Sequence, residues 1–566
     1  MYDIRKKLSG TIEEDLKEKF DVSTSIHFDI ALEEGRGDLT TSAAMQLARQ
    51  LGKKPADVAK AITLSIKKME GVENVEIAGN GYVNVFLDNI FLGQGMDSVL
   101  EECFPKPTRD ESPVIVDYFG PNVAKPLGIH HILSTSIGQA IINLYRHTGY
   151  PVIGWSYPGD YGTQFGKLAV AFAKWGRKKP VSEYSLDELL ELYVRFHADA
   201  ETDLSLEDEA RLAFKKLEAG DSQLEAFRLD VVSVTAKALK SLCDRLHVHI
   251  DKETGESFYD DKMVPILEEG VRKGILKEGE GGALIVSFPD EWKLPPYLLR
   301  KGDGTTLYAT RDLAMIRYRL DSCKPRAIYY VVDIAQSLHL KQLFATCKLL
   351  GWDLPELEHT VFGHMRFADA AMSTRKGTAL KLEAVIDRAV EKARKVIDEH
   401  RETIKTDDAE KLAEMMGVGA LVYGILSQNR KMDIVFDWDK MLSFEGNSAP
   451  YLQYSYARAR SVLRKAGSDE IKNSKTGDLT PKDRYLLKNI LLFPETLADA
   501  RDSRMPHRLT NYLYGLCQAF NSFYNTEPIL QAEKDLRQFR LNLTALTARV
   551  IKTGAEILTL RVPERM

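Results

Sequence analysis

Cysteine is scarce in this chain. There are five in 566 residues, at Cys103, Cys243, Cys323, Cys347 and Cys517, and no two form a CxxC pair. An odd, scattered set supports neither a disulfide framework nor a cysteine-built zinc site. No apolar run approaches the ~20 residues that a membrane helix needs, so no membrane association is expected. The opening MYDIRKKLSGTIEEDLKEKF carries acids throughout and has no apolar stretch, which argues against a signal or transit peptide. A cytoplasmic protein is the simplest expectation. The chain also lacks a serine elbow, an HExxH pair, short-period repeats and low-complexity tracts. GTQFGK, starting at Gly162, is one residue short of a P-loop, and Leu168 stands where a Ser or Thr would hold magnesium.

What is present is ordinary for a soluble globular protein: 44% hydrophobic and 28% charged residues. The length predicts three or four domains. Net charge is −5, but it is unevenly spread. Residues 451–566 hold 19 Lys+Arg against 12 Asp+Glu, whereas residues 1–450 hold 58 against 70. A basic C-terminal part on an acidic body suits either a polyanionic partner or a solvated basic helix face.

The most informative stretch spans residues 114–167. A short apolar strand leads into a turn-rich segment with Gly120, Pro121, Lys125, Pro126 and Gly128. His130 and His131 follow, then a helical pattern over 132–145, a strand over 152–155, and a loop punctuated by Gly159, Gly162 and Gly166. Such a βαβ unit binds ligands at the C-terminal ends of its strands. A helix N-terminus there, beside Lys125 and two histidines, suits a phosphate.

Residues 1–108 are expected to form a small α/β module. It has helices over 12–20, 43–51 and 55–67, and a hairpin whose second strand spans 82–87. Tyr82, Asn84 and Phe86 share one face of that strand; Val83, Val85 and Leu87 share the other. The first face is either a stacking surface for unpaired bases or one side of an ordinary strand. Three charged helices, over 186–196, 207–217 and 223–244, suggest an insertion at about 168–250 between halves of a Rossmann-like fold. Strands are expected over 281–288, 305–309, 327–332 and 359–362. Thr310 or Asp312 is placed to cap a helix over 313–320. From 409 onward the pattern is almost wholly helical, and Tyr451, Tyr454 and Arg458 share one helix face.

Several strings occur together and in order: GPNVAKPLGIHH, GDYGTQFGK, DGTTLYATRD, AMSTRKG, FDWDKMLSFEGNSAPYLQYSYAR and VPERM. Taken end to end, the chain resembles a class I arginyl-tRNA synthetase. The resemblance implies an α/β multidomain protein. It would have an N-terminal tRNA-binding domain (1–108), a Rossmann-like parallel-sheet catalytic domain (109–408) and an all-α anticodon-binding bundle (409–566). It also implies a monomer that joins L-arginine to tRNA(Arg), using ATP with Mg2+ and no zinc, and that needs bound tRNA for efficient activation of arginine.

By position, the resemblance assigns Glu256 and Asp312 to the guanidinium, which is suited to carboxylates in fork geometry. Without it, Asp312 reads as a helix cap and Glu256 as a solvated turn residue. Tyr308 would wall the same pocket, and Asn122 and Gln336 would hold the α-amino and carboxylate end. ATP would meet Gly128, His131, Gly159, Asp160, Gln164 and the loop residues Met372, Ser373, Arg375 and Lys376. tRNA would meet Tyr82, Asn84, Tyr451, Tyr454, Arg458, Arg565 and Met566. The family's HxGH reads Gly128-Ile129-His130-His131 here, so the last histidine is kept as His131, the first is replaced by Gly128, and the family's glycine position carries His130. This change is the sole support for a non-catalytic, tRNA-binding relative as the alternative. In an active enzyme, Lys125, His130 and His131 would carry the phosphate charge together. Replacing Lys125 with Ala should then slow arginylation by up to ~100-fold, the usual effect of losing one preorganised donor; an unchanged rate would remove Lys125 from the site.

Overall fold

The protein is described by a computed structural model covering residues 2–32, 36–89, 91–92, 112–367, 381–467, 469–472 and 478–566. In the N-terminal part, helices Tyr2–Phe20, Ala43–Leu51 and Pro55–Ile66 pack on an antiparallel sheet. Its strand order is Asp29–Ile30, Leu39–Thr41, Tyr82–Leu87, Val72–Ala78. Val83, Val85 and Leu87 are fully buried, as their alternation predicts. On the other face Tyr82 is exposed, Phe86 is half-buried and Asn84 is buried.

The central sheet is parallel throughout, in the order Glu356–His359, Ala327–Tyr330, Val114–Phe119, Val152–Ser156, Lys252–Glu253. All six residues of Val114–Phe119 are buried, as expected for a strand covered on both faces. Strand order reverses at this central strand, which makes its C-terminal end a topological switch point. The helix His131–His147 crosses directly over it. A Cβ built on Gly138 would lie 2.2 Å from Tyr118 Cβ, so glycine sets how closely the helix approaches.

Two expectations fail between residues 281 and 323. The strand expected over 281–288 is only Leu284–Val286, in a small antiparallel sheet with Leu276–Glu278 and Tyr297–Arg300. Of the β-rich residues 305–309, Thr306 pairs with Arg300 in an isolated antiparallel bridge, and Tyr308 already begins a helix, Tyr308–Cys323, whose N-cap is Leu307. Neither Thr310 nor Asp312 is therefore a cap. The Thr310 hydroxyl donates to Leu299 O at 2.6 Å, and Ala309, Leu313 and Ile316 pack into the core, so tertiary packing overrides local β preference. The strand expected over 359–362 lies earlier, at Glu356–His359. Arg319, fully buried on the same helix, places Nη2 2.7 Å from Asp117 Oδ2 on the central strand. That ion pair ties the helix carrying Asp312 to the sheet.

The inserted helices Leu186–Ala200, Ser205–Glu218 and Ser222–Arg245 pack with Thr163–Trp175 around their own core, which includes Phe165, Leu189, Phe196 and Val231. The C-terminal helices Ala449–Ala466, Pro481–Leu491, Phe493–Ser503, Pro506–Thr526 and Lys534–Ile557 form a bundle. The N-terminal part docks on this bundle: the Lys488 ammonium donates to Ala31 O (2.6 Å) and Gly37 O (2.8 Å), and Arg484 pairs with buried Asp38. Gly138→Ala should destabilise the fold by ~1–3 kcal/mol, the usual cost of overpacking. Denaturant unfolding measures this, and an unmoved midpoint would show that the helix withdraws without penalty.

Candidate active site at the strand ends

The loops that follow the first two strands are joined backbone to backbone. Gly159 N–H donates to Pro121 O at 2.9 Å, and Val123 N–H donates to Gly159 O at 3.2 Å. The packing is close at Gly159: a Cβ there would lie 3.0 Å from Asn122 Oδ1 and 3.7 Å from Glu256 Oε1. The fold thus brings Asn122, Gly159 and Glu256 together from three separate loops. Asp160, expected against ATP, is instead 8% exposed and fully engaged. It accepts from Ser257 N–H (2.9 Å), Ser257 Oγ (2.7 Å) and Arg228 Nη1 (3.2 Å). Its role here is to hold the turn that carries Glu256.

Glu256 faces a second carboxylate, Asp312. Burial pushes the Glu256 carboxyl up to about 7; the Arg311 charge opposes this, and Asp312 and Asp160 add to it. Asp312 Oδ2 lies 2.6 Å from His339 Nε2, and His339 Nδ1 lies 2.9 Å from the Tyr297 hydroxyl. Tyr308 is exposed, with its ring centroid 4.9 Å from that of His339. Gln336 is exposed at the end of the short turn Ile334–Gln336, beyond the strand Ala327–Tyr330. The result is a pair of partly buried carboxylates within electrostatic reach of each other, with an aromatic ring nearby, suited to a cation whose donors lie in one plane. The sequence did not reveal His339, Tyr297 or Arg311 as neighbours. Only the position of His339, in the polar run after a buried-type strand, hinted at a role.

The phosphate-side residues gather at the start of helix His131–His147. His131 Nδ1 lies 3.1 Å from both the N–H and the C=O of Gly128. The His130 and His131 ring centroids are 4.0 Å apart. Burial first, and then His130, lower the His131 pKa to about 4; burial also lowers that of His130. At neutral pH both rings are uncharged, so they serve as hydrogen-bonding groups rather than cations. The Lys125 ammonium rests 4.9 Å from the centroid of Tyr193, on the inserted helix. Gln164 Nε2 donates to Tyr161 O (3.3 Å) and Gly159 O (3.4 Å). Met372, Ser373, Arg375 and Lys376 lie outside the described residues. Lys381, the next described residue, bridges to Gly128, and Leu382 N–H donates to Leu127 O at 2.8 Å. Among the described residues, no group of three or more His, Cys, Asp or Glu is arranged to hold a metal ion.

The residues expected to contact RNA differ in availability. Tyr82 is 43% exposed, whereas Asn84 is 3% exposed and its Oδ1 already accepts from Thr40 Oγ1 at 2.8 Å. A base reaching Asn84 would meet a buried amide whose oxygen is already engaged. Arg458 is stacked between Tyr454 (4.7 Å) and Tyr524 (4.9 Å), and Tyr451 accepts from Asn521 at 3.1 Å. Arg565 lies 3.5 Å from Asp407, and Met566 packs half-buried against the core.

Residues 98–438 match the family described as tRNA synthetases class I (R), catalytic domain; residues 452–566 match the DALR anticodon binding domain; and residues 4–87 match the arginyl tRNA synthetase N terminal domain. A relative named arginine--tRNA ligase from Fusobacterium nucleatum is 36% identical over 544 residues, covering 96% of this chain and 95% of its own. Another of that name from Clostridium kluyveri is 38% identical, covering 92% and 93%. A solved arginyl-tRNA synthetase from Thermus thermophilus shares the fold with a TM-score of 0.82 at 24% identity, covering 99% of this chain and all of that one. One from Plasmodium falciparum has a TM-score of 0.81 at 22% identity, covering 100% and 99%.

The Glu256 pKa has a testable consequence. Its folded value of about 7 lies above the ordinary 4.5, so between these values the folded chain holds a proton that the unfolded chain has lost. This group's contribution to stability therefore falls as pH rises through that window. A guanidinium needs the ionised form, so binding of L-arginine should weaken as pH falls from about 7 to 5.5, and Glu256→Gln should weaken binding throughout and flatten that dependence. Calorimetric titration across the range checks both; pH-independent binding by the unaltered protein would contradict the assignment.

Proposed function

The chain belongs to the arginyl-tRNA synthetase family, and from that membership we infer that it ligates L-arginine to tRNA(Arg) through an arginyl-adenylate, releasing AMP and pyrophosphate. The observation that carries this reading is the Glu256–Asp312 pair, two partly buried carboxylates within electrostatic reach of each other. A neutral or apolar side chain would leave Glu256 and the open oxygen of Asp312 without a cationic partner.

In this reading the guanidinium lies between Glu256 and Asp312, walled by Tyr308. Asn122 and Gln336 hold the α-amino and carboxylate end, so that the carboxylate meets the α-phosphorus of ATP. The reaction is an in-line displacement, for which positioning and charge stabilisation supply most of the catalysis. ATP enters as its Mg2+ complex, a substrate. Gly159 admits it closely, Gly128, His131 and Gln164 line its site, and Asp160 acts from behind through Ser257. His130 and His131, both neutral, donate hydrogen bonds to phosphate oxygens. The positive charge comes from Lys125, once released from Tyr193, and from Arg375 and Lys376, with Met372 and Ser373 alongside. The terminal ribose hydroxyl of the tRNA then takes the aminoacyl group.

We assign tRNA contacts to Tyr82 and Asn84 in an N-terminal domain (1–108) and to Tyr451, Tyr454, Arg458, Arg565 and Met566 in an anticodon-binding domain (409–566). The catalytic domain spans 109–408, with the insertion at about 168–250. The enzyme acts in the cytoplasm as a monomer, and activation of arginine requires bound tRNA(Arg). Among the described residues, no helix is long and apolar enough to cross a membrane.

Pyrophosphate exchange, run with and without tRNA(Arg), tests this. Exchange with arginine should appear and should rise sharply when tRNA is added. No exchange in either condition would overturn the reading, and exchange with a different amino acid would reassign the carboxylate pair.

A further inference from the structure

Asp312 is not free to turn. Its Oδ2 lies 2.6 Å from His339 Nε2, and the far nitrogen of that ring, Nδ1, lies 2.9 Å from the Tyr297 hydroxyl. The three residues come from three elements: helix Tyr308–Cys323, helix Ser337–Leu349 and strand Tyr297–Arg300. The side chains of His339 and Asp312 are 12% and 13% exposed, and Tyr297 is buried. An unrestrained aspartate rotates broadly about χ2 and offers either oxygen in many planes. Here one oxygen is bound, so the plane of the carboxylate is set and Oδ1 remains for a ligand.

That restraint bears on recognition. A guanidinium presents its donors in one plane at fixed angles, whereas an aliphatic ammonium presents three rotatable donors around a point charge. A freely turning carboxylate serves both. One clamped in a plane rewards the planar cation and loses little freedom when it binds.

We propose that His339, braced by Tyr297, is a specificity-determining residue that clamps Asp312 in the orientation accepting a guanidinium over an alkyl ammonium. The proposal rests on the assignment of Asp312 to the arginine guanidinium. His339 acts through Asp312 and is a positioning residue.

The test is pyrophosphate exchange by the full-length protein with tRNA(Arg) present, using arginine and lysine as competing substrates, for the unaltered protein and His339→Ala, His339→Gln and Tyr297→Phe. His339→Ala should raise the KM for arginine ~10-fold while kcat changes less than ~3-fold, the signature of lost binding rather than lost chemistry. The arginine-over-lysine ratio of kcat/KM should fall about as far. Gln carries an N–H near the position of Nε2, so His339→Gln should recover most of both. Tyr297→Phe keeps the ring and its packing, removes only the brace, and should give an intermediate KM. An unchanged arginine KM in folded His339→Ala, a fall in kcat alone, or a His339→Gln no better than Ala would overturn the proposal. Should His339→Ala not fold, an unmoved KM in Tyr297→Phe would overturn it equally. Arginine exchange by the unaltered protein with no effect in any variant sinks this proposal alone; no arginine exchange at all sinks the functional reading along with it.

Discussion

Two partly buried carboxylates, Glu256 and Asp312, lie within electrostatic reach of each other; burial first, with Asp312 adding to it, makes Glu256 costly to ionise, and much of the surrounding structure holds the two in place. Glu256 is fixed from behind by a turn whose closure uses Asp160, Ser257 and Arg228. Asp312 is fixed through His339 and through a helix tied to the central strand by Arg319 and Asp117. Both supports are in place in the fold before any cation arrives. This is preorganisation in its electrostatic form: supporting charges and hydrogen bonds are assembled during folding rather than at the moment of binding.

The nucleotide side follows a different logic. Its two histidines are neutral, and its lysine rests on an aromatic ring of the inserted helices. The insertion reaches this side at two further points. Thr235 Oγ1 accepts from Ala124 N–H at 3.1 Å, holding a non-glycine residue at φ +64°, and Asp187 pairs with Lys381 at 2.6 Å. The charged helices are therefore structurally continuous with the loop that precedes the histidines, and a shift in one bears on the other.

Much of this was legible in the sequence. The βαβ unit from residue 114, the three charged helices and the helical C-terminal part follow from hydrophobic period and turn residues. What was not legible depends on distant partners. The helix carrying Asp312 starts at Tyr308 because Ala309, Leu313 and Ile316 meet a core that local propensity does not describe. Asp160 looks like a ligand within its own loop. Its actual partners, Arg228 and Ser257, lie 68 and 97 residues further along the chain, and without them a buried anchor cannot be told from an exposed acid. Asn84 shows the same limit: its alternation was plain, but the Thr40 hydroxyl that occupies it was not.

The docking of the N-terminal part on the C-terminal bundle has a consequence for synthesis. Asp38, 2% exposed, accepts from Leu87 N–H within the N-terminal part, but its ion-pair partner Arg484 lies 446 residues further along the chain. At the usual ~5–20 residues per second, roughly 20–90 seconds separate their emergence from a ribosome. Throughout that interval the nascent N-terminal part presents an acid-bearing surface whose basic partners, Arg484 and Lys488, are not yet made. It must hold its own fold and avoid other basic surfaces until the last fifth of the chain arrives to close over it.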